Sequence, residues 1–139
     1  MTSTPVFVDT SYLLALLNAR DQYHHLALQL ADQIDAPLLT TEAVLTELGN
    51  AFARTAWRKT AINAIRQLRQ DAQVEILSVS PALFSQAFDL YASRTDKDWG
   101  LTDCISFAVM RERNISQALT ADQHFEQAGF QALLREKRK

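Results

Sequence analysis

The sequence predicts an α/β fold, a three-layer α/β/α sandwich built on a parallel sheet. Three observations carry that expectation. Short apolar runs alternate with longer helical patterns along the whole chain, the order expected of strand–helix–strand units joined by right-handed crossovers. The first run, Val6-Phe7-Val8, has no polar alternation, as befits a strand covered on both faces. Only three Gly and three Pro occur among 139 residues, and no linker divides them, so residues 1–139 are expected to form one domain.

The elements follow in order. Val6-Phe7-Val8 is the first strand, ending at Asp9; Thr10-Ser11 can cap a helix carrying Leu13, Leu14, Leu16 and Leu17. From His24 to Ile34, Leu26, Leu30 and Ile34 recur every four residues, one stripe of a second helix, which Pro37 stops. Leu38-Leu39-Thr40 reads as the second strand. Thr41 and Glu42 open a helix with Val44, Leu45, Leu48, Ala51 and Phe52 on one face, and another helix spans about Lys59 to Gln70. Val74 to Val79 alternates as a strand does. Ser80-Pro81 then caps and starts a helix to about Ser93. After the polar loop 95–100, Leu101-Thr102-Asp103 leads into a helix apolar nearly all round, and therefore buried. Ile115 to Thr120 makes the fourth strand, Asp122 to Ala128 a short helix, and Phe130 to Leu134 the fifth strand, with Gly129 suited to the helix C-cap. The leucine-rich stretch Tyr12 to Leu17 and the region of Trp99 fit core packing and an intermolecular interface equally well.

Composition narrows the class. With 47% hydrophobic and 22% charged residues, the chain is ordinary globular material and not a disordered one. No apolar run approaches the ~20 residues that span a bilayer. The amino terminus lacks the basic-then-apolar layout of a secretory signal, and a single cysteine, Cys104, forms no intrachain disulfide. A cytoplasmic protein without membrane association is expected. The net charge of −2 excludes a body that is basic throughout. The distribution is less even: Leu48 to Arg69 holds Arg54, Arg58, Lys59, Arg66 and Arg69 and no acid, with Trp57 among them. Arg54, Arg58 and Lys59 are candidates to contact an RNA backbone, with stacking from Trp57. A second basic group, Arg135, Lys137, Arg138 and Lys139, closes the chain. Each group also reads as a solvated helix face or a frayed tail.

Four acids stand apart from this background. Asp9 ends a buried strand, and Asp122 follows the fourth strand in the same way. Ligands in open α/β sheets bind outside the carboxyl ends of strands. With strand order 3-2-1-4-5, the two acids flank the crevice where the winding direction reverses. Asp103 lies in the first turn of its helix, where a capping or dipole role is worth ~0.3–1 kcal/mol. Glu47 borders the Val44–Leu48–Ala51 stripe, and an ordinary helix-surface glutamate is the competing reading. Carboxylates sharing one crevice repel and protonate unless a cation neutralises them. Hard oxygen ligands suit Mg²⁺ or Mn²⁺, ions that polarise a phosphodiester and activate water for in-line attack. No Cys/His cluster points to zinc: His24 and His25 are adjacent and point apart, and His124 stands alone. All three are read as surface or helix-packing residues.

Four segments then share a family pattern. Val8-Asp9-Thr10-Ser11, Thr41 to Glu47, Leu101-Thr102-Asp103-Cys104-Ile105 and Leu119-Thr120-Ala121-Asp122-Gln123-His124-Phe125 resemble the signature blocks of the PIN-domain family, and closely its VapC-type toxin branch. The resemblance covers essentially the whole chain, with blocks, order and spacing in register. It implies a Mg²⁺- or Mn²⁺-dependent endoribonuclease on a five-stranded parallel sheet, with an acidic quartet at Asp9, Glu47, Asp103 and Asp122. All four would serve the metal, Asp9 and Asp103 as the main ligands and Asp122 completing or tuning the shell, while Glu47 would also orient or deprotonate the attacking water. Ser11 and Thr120 fall at hydroxyl positions beside the first and last acids, and Asp98 at a position that often carries an accessory acid. The resemblance also implies a homodimer and a small antitoxin partner whose tail fills the crevice.

Two other readings are weighed against this one. Phosphate-monoester transfer through an Asp9 nucleophile wants a second aspartate two residues on, where Ser11 stands. A catalytically inactive PIN-like module that only binds RNA or protein is the alternative from another class. An intact quartet disfavours it, because buried acids are costly without a metal.

Overall fold

The computed structural model describes residues 4–136. Met1, Thr2 and Ser3, and the basic residues Lys137, Arg138 and Lys139 noted above, lie outside the described residues. Five parallel strands form one sheet: β1 (Val6–Val8), β2 (Leu38–Thr41), β3 (Val74–Leu77), β4 (Gln117–Leu119) and β5 (Gln131–Ala132), in the order β3-β2-β1-β4-β5. In register, Val6 stands opposite Leu38 and Phe7 opposite Ala118. The centre of the sheet explains the unalternated first run, since Val6, Phe7 and Val8 are all buried with helices over both faces.

The connections are α1 (Thr10–Leu17) and α2 (His24–Gln33), then α3 (Glu42–Ala51) and α4 (Thr55–Gln70), then α5 (Pro81–Ser93) and α6 (Leu101–Glu112), and α7 (Gln123–Gln127). The chain winds outward from β1 to β3 and then returns to β4 and β5. Right-handed crossovers therefore put α1 to α4 on one face and α5 to α7 on the other. Most helix contacts agree: α1 packs on α2 and α3, α3 on α4, α5 on α6, and α6 on α7, while α3 also meets α6. Helix α6 buries Cys104, Ile105, Ser106, Phe107, Val109 and Met110, as its all-round apolar sequence predicts.

Some boundaries move. Helix α4 starts at Thr55, four residues before the expected Lys59, so Trp57, Arg58 and Lys59 sit in its first turns. Arg58 explains the early start: Nε and Nη2 donate to the Ala53 carbonyl at 3.1 and 2.7 Å, joining the first turn of α4 to the chain leaving α3. Strand β5 is only two residues long, yet Leu133 N–H still donates to Ala118 O and Leu134 N–H to Thr120 O. Gly129, with φ at +97°, ends α7 in the left-handed region that glycine adopts without strain.

Trp99 and much of the Tyr12–Leu17 stretch turn out to be core. Tyr12, Leu13 and Ala15 are buried, as is Trp99. The Trp99 ring meets Phe107 edge-on at 5.1 Å between centroids, and Phe107 in turn meets Phe125 at 5.0 Å. Its indole N–H donates to Gln127 Oε1 at 3.0 Å. This anchors the polar loop 95–100 and so places the first turn of α6. No helix among the described residues is long and apolar enough to cross a membrane.

Candidate active site

The site grows from the carboxyl ends of β1 and β4, the adjacent central strands. Asp9 follows β1 immediately and caps α1, its N–H donating to Leu119 O of β4 at 3.1 Å. Its side chain is buried, and both of its hydroxyl donors fall on one oxygen. Oδ2 accepts the Ser11 hydroxyl at 2.8 Å, the Thr120 hydroxyl at 2.8 Å and the Ser11 N–H at 3.3 Å. Ser11 Oγ also accepts the Ala121 N–H at 2.9 Å, and Thr120 Oγ1 the Asp122 N–H at 3.0 Å. The two hydroxyls lie 3.1 Å apart. Together they tie the first acid to the loop that carries the last.

Asp122 caps α7, accepting the His124 N–H on Oδ1 at 2.8 Å. Asp103 folds back to accept the Gly100 N–H on Oδ2 at 3.1 Å, so the capping role read from sequence is real. The position is not only a cap. His124 Nδ1 lies 3.1 Å from Asp103 Oδ2 and 3.2 Å from Asp122 Oδ1. With carboxylate oxygens on both sides, that nitrogen carries the proton and donates. Among the described residues, Asp103, Asp122 and His124 are the group of three whose ligand atoms all lie within 4.8 Å of one another.

Glu47, on α3, is exposed and held by Thr10, whose hydroxyl donates to Oε1 at 2.6 Å. Thr10 opens α1, so this bond fastens the α3 acid to the helix that Asp9 caps. Asp9, Ser11, Glu47, Asp98, Asp103, Asp122 and His124 line one open crevice of about 760 Å³. The quartet read from sequence thus faces a single space, with Ser11 and Asp98 on its wall and Thr120 beneath Asp9. Arg54, Arg58 and Lys59 do not line it; they are exposed on the entry to α4. Arg135, from the second basic group, pairs with Glu126 at 2.6 Å.

His124 is the residue that sequence reading passed over. An acid and a histidine two apart at a strand-to-helix junction, Asp122-Gln123-His124, was the available signal. The reading of His24 as helix-packing agrees with its Nδ1 lying 2.7 Å from Ala15 O.

The electrostatics are those of acids short of a cation. Burial pushes the Asp9 carboxyl up to about 6; the Thr120 and Ser11 hydroxyls oppose that shift and the nearby Asp103 charge adds to it. Asp103 is also held above the ordinary carboxylate range, first by burial and then by the Asp122 charge, against the Gly100 N–H and His124. Among the described residues, no Lys or Arg lines the crevice. A hard divalent cation fits this donor set, because it removes the repulsion that the protein leaves uncompensated.

Thr120→Val tests the hydroxyl bridge. It preserves shape but strips a donor from Asp9 and leaves the half-buried Asp122 N–H without its acceptor. A loss of about 1–3 kcal/mol is expected, read from the urea midpoint of the metal-free protein.

The PIN domain family model matches residues 6–131. This chain belongs to the PIN-domain family. Over 125 residues it is 32% identical to the 23S rRNA-specific endonuclease VapC20 of Mycobacterium tuberculosis, in strains CDC 1551 and H37Rv, spanning 90% of this chain and 95% of that protein. The crystal structure of VapC20, a Sarcin-Ricin loop cleaving toxin, superposes with a TM-score of 0.83 at 31% identity, covering 90% of this chain and 95% of the other. FitAcB from Neisseria gonorrhoeae matches with a TM-score of 0.64 at 17% identity, covering 91% and 94%. VapBC2 from Rickettsia felis, bound to a DNA fragment from their promoter, matches with 0.64 at 13% identity, covering 91% and 95%. At such low identity these last two speak to the PIN fold alone.

Proposed function

We propose that this PIN-domain chain is a Mg²⁺- or Mn²⁺-dependent endoribonuclease, the toxin of a toxin–antitoxin pair, acting as one nuclease domain in the cytoplasm. The observation that carries the reading is the crevice at the ends of β1 and β4, where several carboxylates meet with no Lys or Arg of the described residues among them. The similarity to VapC20 along nine-tenths of the chain supports RNA, and structured ribosomal RNA in particular, as the substrate class. The VapC-type relationship supports a homodimer and a small antitoxin partner.

When bound, the divalent ion supplies Lewis acidity at the scissile phosphate and lowers the pKa of water. The chain's own residues do the rest. Asp103 and Asp122 would hold the ion, with Asp9 on the same crevice wall as the further carboxylate. Ser11 and Thr120 keep Asp9 in one rotamer by occupying Oδ2, the kind of outer contact whose loss typically costs 10–100-fold in metal affinity or activity. His124 steadies Asp103 and Asp122 from a single nitrogen. With Oε1 fastened by Thr10, Glu47 has Oε2 free to take the proton of the attacking water. Asp98, at the rim, is an accessory acid.

Glu47→Gln separates proton transfer from metal binding. Cleavage of ribosomal RNA with Mn²⁺ is expected to fall ~10²–10⁴-fold, the span of a general base, with Mn²⁺ affinity by calorimetry little changed. Unaltered cleavage would remove Glu47 from the reaction. Wild-type protein that binds neither Mg²⁺ nor Mn²⁺ at millimolar concentration would overturn the nuclease reading altogether.

A further inference from the structure

Beside the acidic crevice lies a second hollow of different character, about 560 Å³ in volume. Leu17 at the end of α1, Phe52 after α3 and Trp57 in α4 form its apolar wall, and Asn18 and Arg20 its polar rim. Ala51 lines both spaces, so the hollow opens next to the metal-binding acids. Trp57 is 58% exposed, a large aromatic ring left in solvent by a fold that buries Trp99 almost completely.

We propose that this hollow receives an unpaired nucleobase of the RNA substrate, stacked on the Trp57 indole, next to the bond to be cleaved. The inference rests on the nuclease reading above and adds a base-binding subsite to it. Three features favour a base over an apolar protein side chain. Arg20 lines the hollow itself, and Arg54, Arg58 and Lys59, close to Trp57 in sequence, form no ion pair with a described acid, so positive charge is open to phosphates of a bound strand. Arg58 is in addition fixed in place by the Ala53 carbonyl, which presents a positioned cation one residue from the ring. The rim is rich in donors: Asn18 Oδ1 already accepts the Arg20 N–H at 3.0 Å, which leaves the Asn18 amide N–H groups and the Arg20 guanidinium for the carbonyl and ring-nitrogen acceptors of a base edge. An exposed aromatic platform with a cation on its rim is the combination that single-stranded nucleic acid selects.

The test uses the full chain with Mn²⁺ and three probes: purified ribosomal RNA, a mixed-sequence single-stranded oligoribonucleotide, and the same oligomer made abasic. Trp57 emission is expected to be quenched by the intact oligomer and not by the abasic one. Trp57→Ala should weaken binding of the intact oligomer roughly tenfold, and should raise KM for ribosomal RNA more than it lowers kcat. Trp57→Phe should restore most of the affinity. The exposure of the ring makes a folding defect separable, since circular-dichroism melting of both variants should match wild type. Equal losses for intact and abasic oligomers would overturn the proposal, because the base would then not be what Trp57 holds. So would a Trp57→Ala protein that cleaves and binds RNA normally but loses a protein partner, which would give the hollow to that partner. Failure of wild type to cleave any RNA would instead strike the nuclease reading, a distinct result.

Discussion

Replacing Asp103 by Asn should abolish cleavage of ribosomal RNA in Mg²⁺ or Mn²⁺, a fall of ~10³-fold or more. The size follows from what the residue does at once. Its carboxylate meets Asp122 across His124, and a divalent ion held there would be worth several kcal/mol of charge stabilisation at the reacting phosphate. Asn keeps an oxygen for the Gly100 N–H, so the helix cap survives and folding should be nearly unchanged. That separation matters, because loss of activity with an intact melting transition cannot be assigned to unfolding. Calorimetry should show the Mn²⁺ affinity of the variant reduced together with its activity. Asp103→Asn protein that still cleaves at the wild-type rate would remove this acid from the metal site.

The second large effect is on stability, and it has a definite sign. The Asp9 carboxyl ionises at about 6 in the folded chain against 3.8 when exposed. Below about pH 4 it is protonated in both states and contributes nothing. Between there and pH 6 the unfolded chain releases its proton while the folded chain keeps it. Above pH 6 both are ionised and the folded state bears the full burden of a buried charge, about 3 kcal/mol for a shift of this size. Metal-free protein should therefore lose stability as pH rises from about 4 through 6 and then level off. Asp103, whose carboxyl is also raised, adds a slope of the same sign. Asp9→Asn should lack the Asp9 part and be the more stable protein at neutral pH in EDTA, by about 2–3 kcal/mol, or several degrees in Tm. Saturating Mn²⁺ should reverse the order, because the ion favours the ionised carboxylate that Asn cannot supply. The measurement is Tm against pH for both proteins, with EDTA and with Mn²⁺. Parallel curves in EDTA would show that Asp9 carries no buried-charge burden.

Both expectations depend on features that the sequence reveals unequally. Asp9 and Asp122 were legible because a buried β-branched strand running into an acid is an uncommon pattern, and the ends of parallel strands are where such folds bind ligands. Ser11 and Thr120 were legible only beside them. Asp103 could not be judged alone, since a first-turn acid is ordinary helix chemistry, and the Gly100 bond shows that this ordinary role is present too. Glu47 offered less still, because a glutamate beside an apolar stripe is common. Its bond to Thr10 joins residues 37 apart in sequence, and no local pattern reports a contact of that separation. His124 stands two residues after Asp122, but that local signal gains its meaning only from Asp103, 21 residues away.

The alternation of runs and periodic helices determined the architecture, the parallel sheet and the order in which its parts are met, since burial of apolar stripes is a local demand repeated along the chain. The buried strand ends determined where a site had to be. The tertiary structure decided which side chains share it. It turned Trp99 inward to anchor the loop before α6, left Trp57 outward beside the acids, and set His124 between two carboxylates. Those outcomes follow from crossover handedness and from distances between residues far apart in the chain, which periodicity and spacing do not encode.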